Sequence, residues 1–182
     1  IALRCSAALN CEKLNWLKDN EVLDLTCDGA EKSGIRKTAL EIIGEKPIDI
    51  VVQPAGKNRK KKILIADMDS TMITVECIDE LADYAGIKPQ IAEITERAMR
   101  GELDFAGALH ERVALLKGLP DSAIDQCRVE RVRVMPGAKA LVRTMKARGA
   151  RTLLVSGGFT RFTGPVAEEI GFDTAGANVL EI

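Results

Sequence analysis

Two aspartates separated by one residue end an apolar run in "ILIADMDSTMI", residues 63–73. Asp67 and Asp69 would repel each other unless a cation joins them or each has its own chemistry. Carboxylate oxygens suit Mg²⁺, which binds through one or two carboxylates and keeps several waters. The hydroxyls of Ser70 and Thr71 and the N–H groups of this turn could bind an anion. This combination favours phosphoryl transfer, in which one aspartate attacks phosphorus and the other moves protons.

A second apolar run, "RTLLVSGGF" at residues 151–159, ends in Ser156, Gly157 and Gly158. A hydroxyl beside free glycine backbone lets a phosphate approach closely. Taken alone, "DMDST" could be an acidic helix cap and "SGG" a plain turn. Two strands that both end in groups suited to phosphate are harder to explain as turns. In α/β proteins, ligands bind at the carboxyl ends of parallel strands, so we expect both ends to form one site.

The elements around these strand ends predict an α/β core. Residues 63–76 and 135–182 supply a buried parallel strand, a crossover helix that starts near Pro136, and a second strand. Residues 77–134 are helical in pattern, with Asp104 as a predicted N-cap. They are too long for a simple crossover connection. We therefore predict an inserted helical subdomain, or cap, over the carboxyl ends of the strands.

The first 56 residues predict a separate small α+β unit. "EVLDLTC" and "IDIVVQP" are predicted strands, and residues 31–44 are a predicted helix that ends at Gly44. The buried side of that helix is predicted to be Ile35, Ala39, Ile42 and Ile43. Residues 57–62 are basic, which favours a solvated linker over an anion-binding patch.

Composition excludes several classes of function. The chain has 182 residues and a net charge of −1, with a pI of about 6.0. No electrostatic argument favours nucleic acid or a membrane surface, and no apolar stretch approaches the roughly 18 residues of a membrane span. A signal peptide is not indicated, and the missing initiator Met is consistent with a chain that begins inside a larger protein. Five cysteines without a CxxC pair disfavour zinc and indicate a reducing cytoplasm.

The only histidine, His110, is predicted to lie on a helix surface. A Ser-His-Asp hydrolase would have to use it. The sequence has no GxSxG motif to supply the partner serine.

These motifs resemble those of the haloacid dehalogenase superfamily of phosphatases. "ADMDSTMITVECIDELAD", "RAMRGELDFAGALHERVALLKGLP" and "LVSGGFTRFTGPVAEEIGFDTAGANVLEI" are most similar to its phosphoserine phosphatase branch, over almost all of residues 63–182. The resemblance implies a Rossmann-like parallel sheet with an inserted helical cap and an ACT-like N-terminal unit. It also implies Mg²⁺-dependent hydrolysis of O-phospho-L-serine to L-serine, the last step of serine biosynthesis, through an aspartyl phosphate.

The resemblance assigns the phosphate chemistry to four residues. It makes Asp67 the nucleophile and a Mg²⁺ ligand. It makes Asp69 the general acid and base, with its main-chain carbonyl on the metal. Ser156 and the N–H of Gly157 would hold the phosphate.

Four further residues are assigned to the rest of the substrate. Glu76 would meet the ammonium group and Arg112 the carboxylate, because the planar guanidinium can bond both carboxylate oxygens. Met99 and Phe105 would form an apolar lid. Without the resemblance, the residues alone favour a surface ion pair for Arg112, and Glu76 could be a first-turn acid favoured by the helix dipole. Met99 and Phe105 could be ordinary core residues.

The sequence departs from the superfamily pattern after Ser156. The motif III lysine is absent, since the last lysine is Lys146, and no "GD" pair follows to form motif IV. We therefore expect this chain alone to be inactive or nearly so. The alternatives are another capped phosphatase or phosphotransferase of the superfamily, or a non-catalytic module that binds an amino acid. A homodimer is possible, because ACT-like units often pair.

Overall fold

The computed structural model describes residues 1–27, 31–56 and 59–181. The chain divides into two compact units, Ile1–Lys61 and Lys62–Ile182. The first unit contains helix α1 (Ala2–Ala8), strands β1 (Cys11–Lys18) and β2 (Val22–Cys27), and helix α2 (Lys32–Ile43). β1 and β2 form an antiparallel hairpin. This unit therefore combines two helices with a two-stranded sheet among its described residues.

Helix α2 and strand β2 confirm two predictions for the first unit. α2 ends at Gly44, whose φ is 62°, a left-handed conformation that glycine adopts without strain. Ala39 and Ile43 are buried, on the side that the apolar spacing predicts. Helix α1 and strand β1 were not predicted.

Two expectations for the first unit are corrected by the structure. Residues 48–54 form no strand with any described residue, and Val51 is largely exposed. Cys11 and Cys27 form a disulfide across the β1–β2 hairpin, whereas the sequence predicts five cysteine thiols in a reducing compartment. The cytoplasmic location remains a prediction. Lys57 and Asn58, part of the predicted linker, lie outside the described residues.

The second unit is an α/β fold built on a parallel sheet in the order β3-β4-β5. The strands are β3 (Ile63–Ala66), β4 (Arg151–Phe159) and β5 (Thr174–Asn178). Helix α7 (Ala138–Ala147) leads into β4, and helix α8 (Thr160–Ile170) connects β4 to β5. Both helices contact β4. Because the strands are parallel, their carboxyl ends meet at one edge, and the two predicted motifs lie there.

Only one face of this sheet is fully covered. Alternate strand residues point to opposite faces. Ala66 and Leu154 are buried in the core that α7 and α8 help to form. Ile63 and Ile65, on the other face, are 60% and 65% exposed. The prediction of a buried strand is therefore wrong for the Ile63 and Ile65 face of β3.

Four helices lie between β3 and α7 in the chain. They are α3 (Cys77–Tyr84), α4 (Lys88–Met99), α5 (Phe105–Leu115) and α6 (Asp121–Arg131). The chain enters and leaves this segment through adjacent stretches, because Ile73 forms an isolated antiparallel bridge with Val134. Thr74 N–H donates to the Arg133 carbonyl at 2.9 Å, which reinforces the bridge. The helices thus begin and end beside the sheet edge that carries the motifs.

Two details of these helices agree with the sequence predictions. Asp104 caps α5, since its carboxylate accepts from Gly107 N–H at 2.7 Å. His110 is exposed on α5. In the described part of the chain, no helix combines the length and apolar character needed to cross a bilayer.

Candidate active site

The turn after β3 is closed by its own backbone. The Met68 carbonyl accepts from the N–H groups of Thr71, Met72 and Ile73 at 3.2, 2.8 and 3.1 Å. Ser70 N–H donates to the Val75 carbonyl at 3.2 Å. The N–H groups of Ser70 and Thr71 are therefore engaged within the turn, contrary to the prediction that they are free for an anion.

The Asp69 carboxylate is held through both of its oxygens. Cys77 N–H, at the start of α3, donates to Oδ1 at 3.0 Å. The Ser156 hydroxyl donates to Oδ2 at 3.3 Å. Gly158 N–H in turn donates to Ser156 Oγ at 2.9 Å. The two motifs, 87 residues apart in sequence, are thus joined by hydrogen bonds at the sheet edge.

The Cys77 side chain lies behind this carboxylate and stays a neutral thiol. It is almost fully buried. Burial raises the pKa of the Cys77 thiol far above its ordinary value, and the neighbouring Asp69 raises it further. Cys77 is therefore a structural neighbour of Asp69 rather than a nucleophile.

A cavity of about 180 Å³ opens beside the two aspartates. Six of the eight predicted site residues line it: Asp67, Asp69, Glu76, Phe105, Arg112 and Gly157. Four elements deliver them, namely the end of β3 with the turn after it, helix α3, helix α5 and the end of β4. Residues far apart in the sequence therefore converge on one small space.

The two remaining predicted residues lie elsewhere. Ser156 is buried behind the cavity, where it contacts Asp69. Met99 is 85% exposed at the end of α4 and does not line the cavity. The structure therefore does not bring Met99 to the site.

Four residues outside the eight predicted site residues also line the cavity: Ile78, Leu109, Gly158 and Phe159. Gly158 and Phe159 belong to the predicted strand-end motif at residues 151–159. Leu109 could have been found from spacing, because it lies four residues after Phe105 and three before Arg112 on one helix face. Ile78 follows Glu76 by two residues at the start of α3. No sequence signal distinguished it from an ordinary core residue.

The Phe105 ring packs against the backbone of Gly157. A Cβ added at Gly157 would lie 3.0 and 3.2 Å from two ring carbons, closer than nearly all real Cβ contacts. Glycine allows this close approach, since a side chain at residue 157 would require the ring to shift by a few tenths of an ångström. This contact brings α5 against the end of β4 and bounds the cavity.

Arg112 is oriented by its own helix. Its Nε donates to the Ala108 carbonyl at 3.2 Å, so recognition of a ligand falls to its two terminal nitrogens. The neighbouring Glu111 pairs with Arg97 at 2.9 Å. Among the described residues, Arg112 has no ion-pair partner, so the surface ion-pair interpretation has no support. Glu76 occupies the N-cap position of α3 without a side-chain capping bond and is exposed.

Residues 61–181 match the haloacid dehalogenase-like hydrolase family. The chain belongs to this family. The match covers the whole parallel sheet and all the cavity residues. The α/β core described above is therefore that of a haloacid dehalogenase-like hydrolase.

Relatives of this hydrolase chain include phosphoserine phosphatases, as the resemblance in sequence indicated. It is 48% identical over 136 residues to a phosphoserine phosphatase of Archaeoglobus fulgidus, covering 74% of this chain and 39% of that protein. It is 43% identical over 161 residues to a phosphoserine phosphatase of Streptomyces coelicolor, covering 88% and 39%.

A solved structure described as a phospho-aspartyl intermediate analogue of phosphoserine phosphatase is also similar. It is 38% identical, with a TM-score of 0.62 over 67% of this chain and 58% of that one. In these three comparisons, the hydrolase chain spans between 39% and 58% of the length of the protein that it matches.

The acidic residues of the cavity suit a divalent cation in part. Asp67 and Asp69 supply hard oxygen donors at one place, which fits Mg²⁺ because this ion takes few carboxylates and retains waters. Within residues 1–27, 31–56 and 59–181, no group of three or more His, Cys, Asp or Glu side chains is placed to hold a metal ion.

Proposed function

We propose that the complete protein is a Mg²⁺-dependent phosphomonoester hydrolase that converts O-phospho-L-serine to L-serine and phosphate. The observation that carries the proposal is the convergence of Asp67, Asp69, Glu76 and Arg112 on one cavity of about 180 Å³. Asp67 and Asp69, which suit phosphoryl transfer, thus share a small space with two further charged residues. These are Glu76 and Arg112, which suit the ammonium and carboxylate groups of an amino acid. The names of the relatives support the same substrate.

Asp67 and Asp69 would hold the Mg²⁺, through the Asp67 carboxylate and the Asp69 main-chain carbonyl. When bound, the ion would offset the negative charge of the phosphate and of the two carboxylates. Both residues follow β3 directly, so the parallel sheet fixes their positions.

In the proposed reaction, an Asp67 carboxylate oxygen attacks phosphorus and displaces the serine oxygen. Asp69 gives a proton to that leaving oxygen, and an aspartyl phosphate forms on Asp67. Asp69 then takes a proton from a water molecule, whose oxygen attacks phosphorus and releases phosphate and free Asp67. The similar structure of a phospho-aspartyl analogue supports this intermediate.

The hydrogen bonds to Asp69 fit its proposed role as a proton carrier. Cys77 N–H holds Oδ1 at 3.0 Å, and Ser156 reaches Oδ2 at the longer distance of 3.3 Å. Oδ2 is therefore the oxygen that can more easily give up its hydrogen bond and contact a substrate. Ser156 and Gly157 N–H would bind the phosphate, with Gly158 N–H orienting the Ser156 hydroxyl.

The substrate's amino-acid end would be recognised by Glu76 and Arg112. The Arg112 terminal nitrogens can form paired bonds with the carboxylate, while Glu76 pairs with the ammonium. Phe105 would act as the lid, since it already contacts Gly157. The proposed lid role of Met99 would require a rearrangement of α4.

Helices α3–α6 would form the inserted cap, whose base is the Ile73–Val134 bridge. The first unit would be an ACT-like amino-acid-binding unit, and the protein would pair as a homodimer. The helix and hairpin of that unit are compatible with this assignment.

The 182-residue chain by itself is expected to release little or no phosphate. The described residues that line the cavity include no lysine, and loss of one such charge-stabilising donor typically costs roughly 10²–10³ in rate. Robust Mg²⁺-dependent hydrolysis of phosphoserine by this chain alone would contradict that expectation.

The substrate is tested with the complete gene product and two phosphate esters. Phosphoserine carries a carboxylate, whereas phosphoethanolamine lacks it. Arg112→Lys should lower kcat/KM for phosphoserine by about 10–100-fold, the effect of losing a charged bidentate bond. It should change kcat/KM for phosphoethanolamine much less. Arg143→Lys, at an exposed site on α7, is the matched control.

Equal losses of kcat/KM for the two esters would show that Arg112 does not recognise the carboxylate. Absence of phosphoserine hydrolysis by the unaltered protein, with activity on another phosphate ester, would overturn the proposed substrate.

A further inference from the structure

Two aliphatic side chains, Ile78 and Leu109, form an apolar wall beside the charged residues of the cavity. Phe105, Leu109 and Arg112 lie at spacings of four and three on α5, hence along one face of that helix. Ile78 comes from the first turn of α3. All four line the cavity. A ligand bound to both aspartates and Arg112 would therefore also contact the aliphatic side chains that line the cavity.

The side chains of the apolar wall are supported by the hydrophobic core on the side away from the cavity. Ile78 and Leu109 are half-buried and pack against the main hydrophobic cluster, which includes Cys77, Leu81 and Leu116. Side chains packed in this way cannot move aside without opening voids, because protein interiors are close-packed. Their exposed sides therefore present a fixed surface to the cavity.

The opposite boundary is formed by Phe105 and Gly157. The ring packs directly on the glycine backbone, since a Cβ added at Gly157 would lie 3.0 Å from it. The cavity of about 180 Å³ thus cannot expand toward β4 without displacing the ring. The size of the cavity therefore depends on Ile78 and Leu109, which form its other side.

We infer that Leu109 and Ile78 are specificity-determining residues that limit the carbon skeleton between the phosphate and the amino-acid end of the substrate. The inference rests on the proposed function. The wall would admit phosphoserine and disfavour phospho-amino acids with one more carbon, such as phosphothreonine and phosphohomoserine. One methyl or methylene in an apolar pocket typically changes kcat/KM roughly 10–200-fold.

The test measures substrate ratios in the complete gene product. Phosphoserine competes with phosphothreonine or phosphohomoserine in one reaction, and the ratio of the two kcat/KM values is recorded. This ratio does not depend on the fraction of folded enzyme. A role in packing alone would therefore leave it unchanged.

Leu109→Ala should shift at least one ratio toward the larger substrate by about tenfold or more. Ile78→Val, which removes one methyl group, should shift it less and in the same direction. His110→Ala is the control, because His110 is exposed on the same helix and does not line the cavity. Its ratios should match those of the unaltered protein.

Ratios that stay within twofold in both Leu109→Ala and Ile78→Val would overturn the inference. If Leu109→Ala does not fold, Leu109→Val replaces it with the same criterion. Failure of all three variants to fold would assign these residues to the core alone and would also overturn it. Failure of the proposed function is distinguishable, because the unaltered protein would then hydrolyse none of the three phospho-amino acids.

Discussion

Asp69 connects the two parts of the site that come from α3 and from β4. Its carboxylate accepts one hydrogen bond from the start of α3 and one from the end of β4. A general acid must be held in a productive geometry, since a misplacement of about 1 Å can cost about 10²-fold in rate. In the proposed reaction, the Gly158 backbone that positions Ser156 would therefore affect catalysis through Asp69.

Gly158→Ala tests this positioning. A Cβ at residue 158 would lie 3.1 Å from Ser156 Oγ and 3.3 Å from Asp69 Oδ2, so both groups must shift by a few tenths of an ångström. We expect kcat for phosphoserine to fall about tenfold, within the range for small misplacements. Steady-state kinetics on the complete gene product would measure it.

Gly164→Ala is the matched control for that substitution. A Cβ at Gly164, inside α8, meets no atom within 4 Å. It should leave kcat unchanged, and we expect no gain in the free energy of unfolding, because residue 164 precedes Pro165 inside the helix and a Cβ there crowds the proline ring. Equal kcat in both variants would remove the argument that Gly158 positions Asp69.

At the scale of the elements, Asp173 ties the end of α8 to β4 and α7. Its Oδ2 accepts from Thr152 N–H at 2.8 Å and from the Thr152 hydroxyl at 3.0 Å. Its Oδ1 pairs with Lys146 Nζ at 2.9 Å. The bonds from Lys146 and Thr152 lower the pKa of Asp173 to about 2. The charged carboxylate thus helps to hold the sheet and two helices together.

This lowered pKa predicts a pH-dependent contribution to stability. A carboxyl with a folded pKa of about 2 and an ordinary value of 3.8 stabilises the fold fully above pH 3.8. The contribution declines as the pH falls toward 2. Asp173→Asn should therefore lower the urea midpoint by a constant amount from pH 7 to 5, with a smaller difference at pH 3. A difference unchanged at pH 3 would contradict the account.

At the scale of the whole molecule, the second unit has a hydrophobic core of its own. The main cluster of buried residues extends from Ala66 to Ile170. Because a unit with its own core can fold alone, we expect residues 62–182 to unfold cooperatively without the first unit. Thermal unfolding followed by circular dichroism would measure this against the 182-residue chain. A non-cooperative transition in the shorter fragment would show that its core is insufficient.

Much of the second unit could be predicted from local patterns. Apolar runs that end in polar groups indicated β3 and β4, and Asp104 indicated the start of α5, since capping and strand patterns depend on nearby residues. The exposure of Ile63 and Ile65 could not be predicted this way. It depends on which face α7 and α8 cover, which is a property of the assembled sheet.

Long-range features limited the rest of the prediction. "IDIVVQP" has a strand pattern, but a strand requires a paired neighbour, and no described residue pairs with it. The Cys11–Cys27 disulfide depends on the register of β1 and β2. Ile78 was missed because a residue that lines a cavity and one that fills a core have the same local pattern, whereas the spacing of Leu109 to Phe105 and Arg112 does indicate a shared helix face.

The most direct test of the central claim is to trap the phosphoryl group on Asp67. The complete gene product is mixed with phosphoserine and Mg²⁺, quenched in acid, digested and examined by mass spectrometry. The account predicts one phosphoryl group on the peptide that contains Asp67, and neither this group nor turnover in Asp67→Asn. Phosphate release without a phosphoryl group at Asp67, or normal turnover by Asp67→Asn, would contradict it.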